Sequence, residues 1–450
     1  MMLSTLHRLQ RALVQPDLSR IFKNTAWLFA DRMIRAALTL VVSVWLARYL
    51  GATGYGMYAY TFAIIGLFSS LATAGLEDIV VRDLVKDPER RGEILGTTFL
   101  LKMAFGILAG SLAIGSVIWA RPAEPLLIEL TVIVAASFLF EAFQTLTLWF
   151  QSQTQSKYAV VAKSGILIVI NLVKIALLLN HAPIQAFAWT ALVESLFVAG
   201  ALIAIYRFKG NLIRLWGFSR DYALKLLREC WPLALAGFIG GLYGRLDQLF
   251  IGGMLGNEAS GLYSAAVRIS EAWTLIPLAV ITSTFPSLVA AQKRAPGLYT
   301  LRMQTLCNII AVLALAVAVP MTFLSKPLVV FMFGETYAPA GPILAISIWG
   351  SVFMFMGMIQ SCWYVSEGLT RIALMRTVMC AGLNAIFNLL LIPRFGFVGA
   401  ACATALTHAL NVWALNLLDP RTRPFVLLQL RTFTFQAPLF RWNEPEPTGG

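Results

Sequence analysis

"ARYLGATGYGMYAY", residues 47–60, has a second copy later in the chain, where residues 252–265 read "GGMLGNEASGLYSA". The copies align without a gap at an offset of 205 positions, setting Leu50 on Leu255, Gly51 on Gly256, Gly56 on Gly261 and Tyr58 on Tyr263. Each joins the end of one apolar run to the start of the next. Glycine at 51 and 256 suits a helix end in the left-handed conformation. Tyr49, Tyr55, Tyr58 and Tyr60 suit the headgroup level of a bilayer. The phrase reads as a hairpin between two membrane crossings, written twice.

Working outward, the chain of 450 residues is 58% hydrophobic and only 13% charged, against about 25% charged in a soluble domain. Apolar runs near 25–50, 56–76, 94–119, 126–150, 159–180, 184–206, 230–254, 260–289, 303–324, 342–365, 373–392 and 397–418 are each long enough to span a bilayer. Six runs separate the two copies of the phrase. Six is even, so both copies cross in the same sense, as in a parallel repeat about an axis along the membrane normal. The expected fold is therefore an all-α membrane protein of about twelve transmembrane helices in two six-helix lobes related by a pseudo-twofold. The expected division is an N-terminal interfacial segment at 1–23, an N-lobe at 24–206, an amphipathic cytoplasmic connector at 207–229, a C-lobe at 230–418 and a cytoplasmic tail at 419–450.

Orientation follows from the connections. One alternating set holds Arg8, Arg11, Arg20, Lys23, then Arg82, Lys86, Arg90, Arg91, then Lys157, then the basic 207–229 stretch, then Lys293, Arg294, Arg302, and finally Arg371, Arg376 and the C-terminal arginines. The other set holds little beyond Arg48, Arg121, Lys326 and Arg394. The positive-inside rule puts the first set, and both termini, in the cytoplasm. The net charge of +13 then belongs to loops facing anionic inner-leaflet lipids rather than to nucleic-acid binding. Cys230, Cys307, Cys362, Cys380 and Cys402 lie in or beside apolar runs without CxxC spacing, as small buried hydrophobes do.

With these features in view, the chain resembles the polysaccharide transporter (oligosaccharide flippase) branch of the multidrug/oligosaccharidyl-lipid/polysaccharide exporter superfamily. The resemblance covers about residues 20–418. It rests on LAR-x-LG-x-x-x-YG-x-Y at the first hairpin, "DQLFIGGMLGNEASGLYSAAVRISE" at 247–271, "VVFMFGETYAPAGPILAI" at 329–346 and "NLLLIPRFGFVGAACATAL" at 388–406. It implies two lobes around a central cavity and alternating access. It also implies a polyprenyl-pyrophosphate-linked glycan as cargo, moved from the inner to the outer leaflet of a bacterial cytoplasmic membrane, with a polysaccharide polymerase and chain-length regulator as partners. The fourteen-helix relatives are longer; this chain has room for about twelve spans.

A charge within a span is costly and faces a partner or a watery cavity. The first run carries Asp31, Arg32 and Arg35, and the seventh carries Arg245 and Asp247. Both arginines fall near mid-depth of equivalent helices. Arg245 and Asp247, two apart, would point to nearly opposite faces of a continuous helix. Lys163 and Lys174 share a face, and Arg268 and Glu271 are one turn apart. Arg35, Arg245, Arg268, Lys163 and Lys174 are the candidates for holding an anionic cargo. Asp31, Arg32, Glu141, Glu194, Asp247 and Glu271 serve either coupling to H⁺ or Na⁺ or internal ion pairs. Asn384, Asn388, His408 and Asn411 serve glycan contacts or helix–helix hydrogen bonding. No G-x-x-x-x-G-K-[ST] loop for a nucleotide occurs. The histidines His7, His181 and His408 are scattered, and no metal or cofactor is expected. A drug or lipid-linked peptidoglycan precursor exporter, and a membrane glycosyltransferase or ligase, are the alternative readings. The short loops opposite the basic set leave little room for the catalytic domain the last would need.

Overall fold

The computed structural model describes residues 16–433 except Ala74 and Ala295, with side chains from Met33 onward except those of residues 293–296. Within these residues all regular structure is helical. Nine stretches are long and apolar enough to cross a membrane. Three of them, Met33–Lys86, Leu246–Gln292 and Thr370–Leu418, exceed what one crossing needs. Each contains a glycine in a non-helical, positive-φ conformation: Gly51 (φ 65°), Gly256 (φ 85°) and Gly396 (φ 60°). A side chain there would clash with the backbone. At these points the helix ends and another begins, so the nine stretches comprise twelve segments, in the order and near the positions read from the sequence.

The N-lobe consists of α1 (Pro16–Thr73), the short α2 (Glu77–Lys86), α3 (Arg91–Ala120), a broken fourth crossing, α7 (Ser156–Leu179) and α8 (Ile184–Phe208). The fourth crossing is divided into α4 (Pro125–Ala135), α5 (Phe138–Glu141), a 3₁₀ turn and α6 (Thr145–Ser152), where the sequence predicts one helix over 126–150. The C-lobe consists of α9 (Arg220–Tyr243), α10 (Leu246–Trp273), α11 (Leu275–Arg294), α12 (Pro296–Phe333), α13 (Gly341–Ser366) and α14 (Thr370–Val412). Its seventh crossing is made of two pieces, α9 and the start of α10, with a break at Gly244–Arg245.

The two copies of the hairpin phrase pack directly against each other. A methyl group on Gly56 would lie 2.7 Å from the Asn257 carbonyl carbon and overlap its oxygen. One on Gly261 would lie 2.9 Å from the Ala52 carbonyl carbon and overlap that oxygen. Residues 52 and 257, like 56 and 261, are equivalent at the offset of 205, so the contacts are reciprocal about the pseudo-twofold. In lipid, helices associate through close packing of small residues rather than through apolar transfer, and these glycines allow it. The largest buried cluster is continuous across the lobe boundary here, joining Val44, Ala47 and Tyr55 to Ile251, Leu262 and Ala266.

Further bonds at this face, opposite the basic one, reinforce the junction. Arg48 Nε donates to the Met332 carbonyl at 2.6 Å and its Nη2 to the Phe331 carbonyl. The Tyr337 hydroxyl donates to the Ala47 carbonyl at 2.9 Å. Arg121, which also pairs with Glu124, donates to Asn257 Oδ1 at 2.7 Å, while Asn257 Nδ2 donates to Glu124 Oε2 at 2.8 Å.

At the basic face one expectation is corrected. The 207–229 connector is not a free amphipathic helix: residues 211–219 form a loop with a 3₁₀ turn, and α9 starts at Arg220 with Ser219 as its cap. The loop docks on α3, with the Gly217 N–H donating to the Gly92 carbonyl at 3.2 Å and the Ser219 N–H to Thr97 Oγ1 at 3.0 Å. Trp216 packs with Tyr206 in the joint, while Leu212, Leu215 and Phe218 stay exposed. The tail at 419–450 contributes α15 (Arg423–Phe433), whose Phe425 stacks on Trp363. The expected interfacial helix near the N-terminus falls largely outside the described residues.

Candidate functional site

The break at Gly244–Arg245 positions the site. Residues 237–244 read Gly-Phe-Ile-Gly-Gly-Leu-Tyr-Gly, a segment too glycine-rich to hold a helix firmly. Arg245 therefore stands at the start of α10, φ −131° and ψ −2°, outside regular helix. Its guanidinium crosses the lobe boundary and lies on Gly66 of α1, where a methyl group would overlap it. Among the described residues the Arg245 guanidinium makes no hydrogen bond or ion pair within 4 Å; Glu271 and Arg268 are the charges around it.

Two adjoining chambers share Arg245, Gly66, Gln248, Val267 and Glu271 as a common wall. The first, about 560 Å³, extends into the C-lobe past Tyr243, Ser351, Thr404 and His408. The second, about 440 Å³, lies toward the N-lobe past Tyr55, Asn171, Lys174, Glu194 and Arg268. A smaller recess continues to Arg35, with Arg268 and Glu271 again in its wall. Four cations, Arg35, Lys174, Arg245 and Arg268, thus face three carboxylates, Glu194, Asp247 and Glu271. Arg268 and Glu271 approach to 3.9 Å.

Asp247 is engaged differently. Asn388 Nδ2 donates to its Oδ1 at 2.8 Å, Tyr263 to its Oδ2 at 2.8 Å, and Thr404 to the same oxygen. No cation pairs with it among the described residues. Asn384 supports the ring of donors by bonding Thr404 at 3.2 Å, and Asn388 Oδ1 is buried without a hydrogen-bond partner among the described residues. The expectation that Arg245 and Asp247 face apart assumed a continuous helix. With the helix broken between Tyr243 and Leu246, both line the same chamber.

Arg35, Arg245, Arg268, Lys174, Glu194, Glu271, Asp247 and His408 are therefore brought together. Lys163 lies instead in the field of Glu141, Glu77 and Lys102, within the N-lobe; Lys102 is 2% exposed and 3.6 Å from Glu77. Asn384 and Asn388 serve Asp247, His408 Nδ1 meets the Tyr243 hydroxyl at 3.1 Å, and Asn411 faces Gly357 outside the chambers. The side chains of Asp31 and Arg32 lie outside the described residues. Gln248, Thr404 and the Ser270–Ser351 pair at 3.1 Å escaped the sequence reading, and Tyr263 was read only as part of the repeated hairpin phrase. Uncharged residues in a span carry no signal of cost, and only the spacing of Gln248 from Arg245 could have pointed to one of them.

An all-helical membrane transporter with a charged cavity between repeated lobes is the class these features define, rather than an enzyme. The sequence matches the family described as "Polysaccharide biosynthesis protein" over residues 21–292, and the chain belongs to that family. Among its relatives are "Probable flippase AglR" of Haloferax volcanii, 20% identical over 88% of this chain and 82% of that one, and "Capsular polysaccharide biosynthesis protein CapF" of Staphylococcus aureus, 20% identical over 86% and 96%. The fold is similar to that of the lipid II flippase MurJ in an inward closed conformation, with TM-score 0.75 and 15% identity over 90% of this chain and 91% of that one. It is also similar to an inward-facing multidrug resistance MATE family transporter, with TM-score 0.69 and 16% identity over 89% and 95%. The chain is a flippase of polysaccharide or glycan biosynthesis.

Proposed function

We propose that this chain carries polyprenyl-pyrophosphate-linked oligosaccharide repeat units, for O-antigen, capsule or exopolysaccharide, from the inner to the outer leaflet of a bacterial cytoplasmic membrane by alternating access. The observation that carries the reading is Arg245, a guanidinium without an ion-pair partner within 4 Å among the described residues, about 16 Å from the hairpin at Gly256 by helical rise and in the wall between both chambers. A forked cation in a restricted polar cavity suits pyrophosphate oxygens. Arg35, Lys174 and Arg268 extend the positive lining, and the hydroxyls and amides of Gln248, Ser270, Ser351 and Asn171 suit sugar hydroxyls. In this reading the basic face is cytoplasmic, and packing at the opposite face marks a state accessible from the cytoplasm. Asp247, ringed by neutral donors, is the group suited to take up H⁺ or Na⁺ and couple it to movement of the C-lobe. The relatives named as flippases or capsule proteins support the same direction.

The test is uptake of a radiolabelled lipid-linked repeat unit into inverted membrane vesicles. Translocation dependent on this chain is expected. Equal transport of lipid-linked peptidoglycan precursor or of a cationic dye, without transport of the repeat unit, would replace the proposed cargo.

A further inference from the structure

Beside the chambers lies an apolar groove of about 550 Å³. Its walls are Phe68 and Leu71 of α1, Phe105 and Leu112 of α3, and Leu227, Cys230, Trp231, Ala234, Leu235 and Phe238 of α9. Among the described residues no charged side chain lines it. Trp231, Leu235 and Leu112 are largely exposed at its mouth, so it opens outward from the bundle. α1 approaches the basic face toward Thr73, and α9 leaves that face at Arg220. The groove therefore runs from the basic face to mid-depth. At its inner end Phe68 and Phe238 meet at 6.4 Å. Two or three residues further along the same helices, Gly66, Gly240 and Gly241 already line the Arg245 chamber. The seam between groove and chamber consists of small residues, Gly241 packing on Ser70. Gly241 and Ser70 can separate without displacing a bulky side chain, and Phe68 with Phe238 closes the groove beside them.

We infer that this groove is the site for the isoprenoid tail of the lipid-linked cargo while its anionic head occupies the Arg245 chamber, an inference that rests on the flippase reading above. A tail cannot follow the head into a chamber walled by Arg245, Asp247 and Glu271, because burying apolar chain there would displace water from charged groups without replacing their hydration. It must leave through a seam between the lobes, in the leaflet where the head enters. The groove adjoins the chamber on that side, has no charged side chain among its described lining residues, and is walled by aromatic rings. An ordinary phospholipid, with no head in the chamber, would have no preference for this place over the rest of the lipid-facing surface.

The experiment uses the full chain in liposomes and two photoprobes: polyprenyl pyrophosphate with a diazirine on its isoprenoid chain, and phosphatidylglycerol with one on an acyl chain. The isoprenoid probe is expected to label residues 227–238 and to be displaced there by unlabelled polyprenyl pyrophosphate but not by phosphatidylglycerol. Ala234→Trp, and independently Leu112→Trp from the facing wall, are expected to lower that labelling about tenfold, the factor equivalent to about 1.4 kcal/mol of overpacking. Binding of inorganic pyrophosphate, which reads the chamber alone, is expected to stay at the wild-type level in both. Equal labelling by phosphatidylglycerol with mutual competition would make the groove ordinary lipid-facing surface and overturn the inference. Undiminished labelling and translocation in both variants would overturn it too, with the flippase reading intact. Failure of the wild-type protein to bind or move any polyprenyl-linked probe would remove the flippase reading itself, and the inference with it.

Discussion

Replacing Gly56 and Gly261 together by alanine should open the face at which the lobes now meet. The added methyl carbons would lie 2.7 and 2.9 Å from the carbonyl carbons of Asn257 and Ala52, and 2.8 and 3.1 Å from the amide nitrogens of Gly261 and Gly56. Carbon atoms rest at about 3.5–4.0 Å, so the two hairpins must separate by on the order of 1 Å. Every opposing atom is backbone and cannot rotate away. Overpacking of this kind costs about 1–3 kcal/mol per site. The two sites share one interface and will not add fully; a combined cost of about 2–4 kcal/mol shifts the equilibrium between closed and open arrangements by roughly 30- to 1,000-fold. Spin labels at Thr53 and Glu258, exposed and equivalent at the 205-residue offset, read the separation by double electron–electron resonance after the native cysteines are replaced. The parent should give a short, narrow distribution, and the double variant a longer one. Gly253→Ala, whose methyl would meet nothing within 4 Å, should leave it unchanged. An unaltered distribution in the double variant, at normal abundance, would refute the claim that these glycines clamp the lobes.

Arg245→Ala should lower cargo affinity about 10- to 100-fold, the worth of one charge-assisted contact, at unchanged protein level, with partial recovery in Arg245→Lys; a normal transport rate in vesicles would release Arg245 from that role. Gly66→Leu should mimic this loss by displacing the guanidinium that lies on it, and pyrophosphate binding measured by calorimetry checks it. Asp247→Asn should abolish the dependence of transport on a H⁺ or Na⁺ gradient while downhill exchange of cargo continues; persistence of the gradient dependence would exclude the residue as the coupling group. At the basic face, Asp83 accepts from Arg82 at 2.9 Å and from Lys225 at 3.2 Å. Burial alone would raise its carboxyl, but these bonds outweigh it and hold it below the usual aspartate range. Because the folded value is the lower one, the stabilisation is complete above about pH 4 and is lost as pH falls through the folded value. Asp83→Asn should therefore lower the melting temperature in detergent at neutral pH, and the gap from the parent should narrow on acidification.

The features legible in the sequence are those with a strong local cost. Gly51 and Gly256 could be read because a positive φ demands glycine, and the even number of runs between them fixed the relation of the lobes. Arg35, Arg245, Arg268 and Lys174 could be read because a charge within a span requires a reason. What periodicity cannot supply is the neighbour. Lys163 and Lys174 share a helix face by arithmetic, yet one lies near Glu141 and the other near Glu194, because successive turns of α7 meet different parts of the N-lobe. The same limit applies to the fourth crossing, whose apolar composition hides the breaks at Ala136 and Ala142. It applies again to the 211–219 loop, which docks on α3 instead of forming a helix, with Trp216 against Tyr206 and with Leu212, Leu215 and Phe218 left exposed. The facing of Arg245 and Asp247 was misjudged for another reason: helical phase was counted across Gly244, where the helix is interrupted.

Arg48 carries a consequence of its own. It grips the main-chain oxygens of Met332 and Phe331 at the end of α12, not their side chains, and Phe331 itself is 79% exposed. Any amino acid offers the same carbonyl, so the receiving side of this bond is written in the path of the backbone and not in the alphabet. Positions 331 and 332 are free to drift over generations without loosening the grip, whereas Arg48 and the Gly334 turn that ends the helix are not. A saturation library would show the asymmetry directly, with broad tolerance on one side of the bond and almost none on the other.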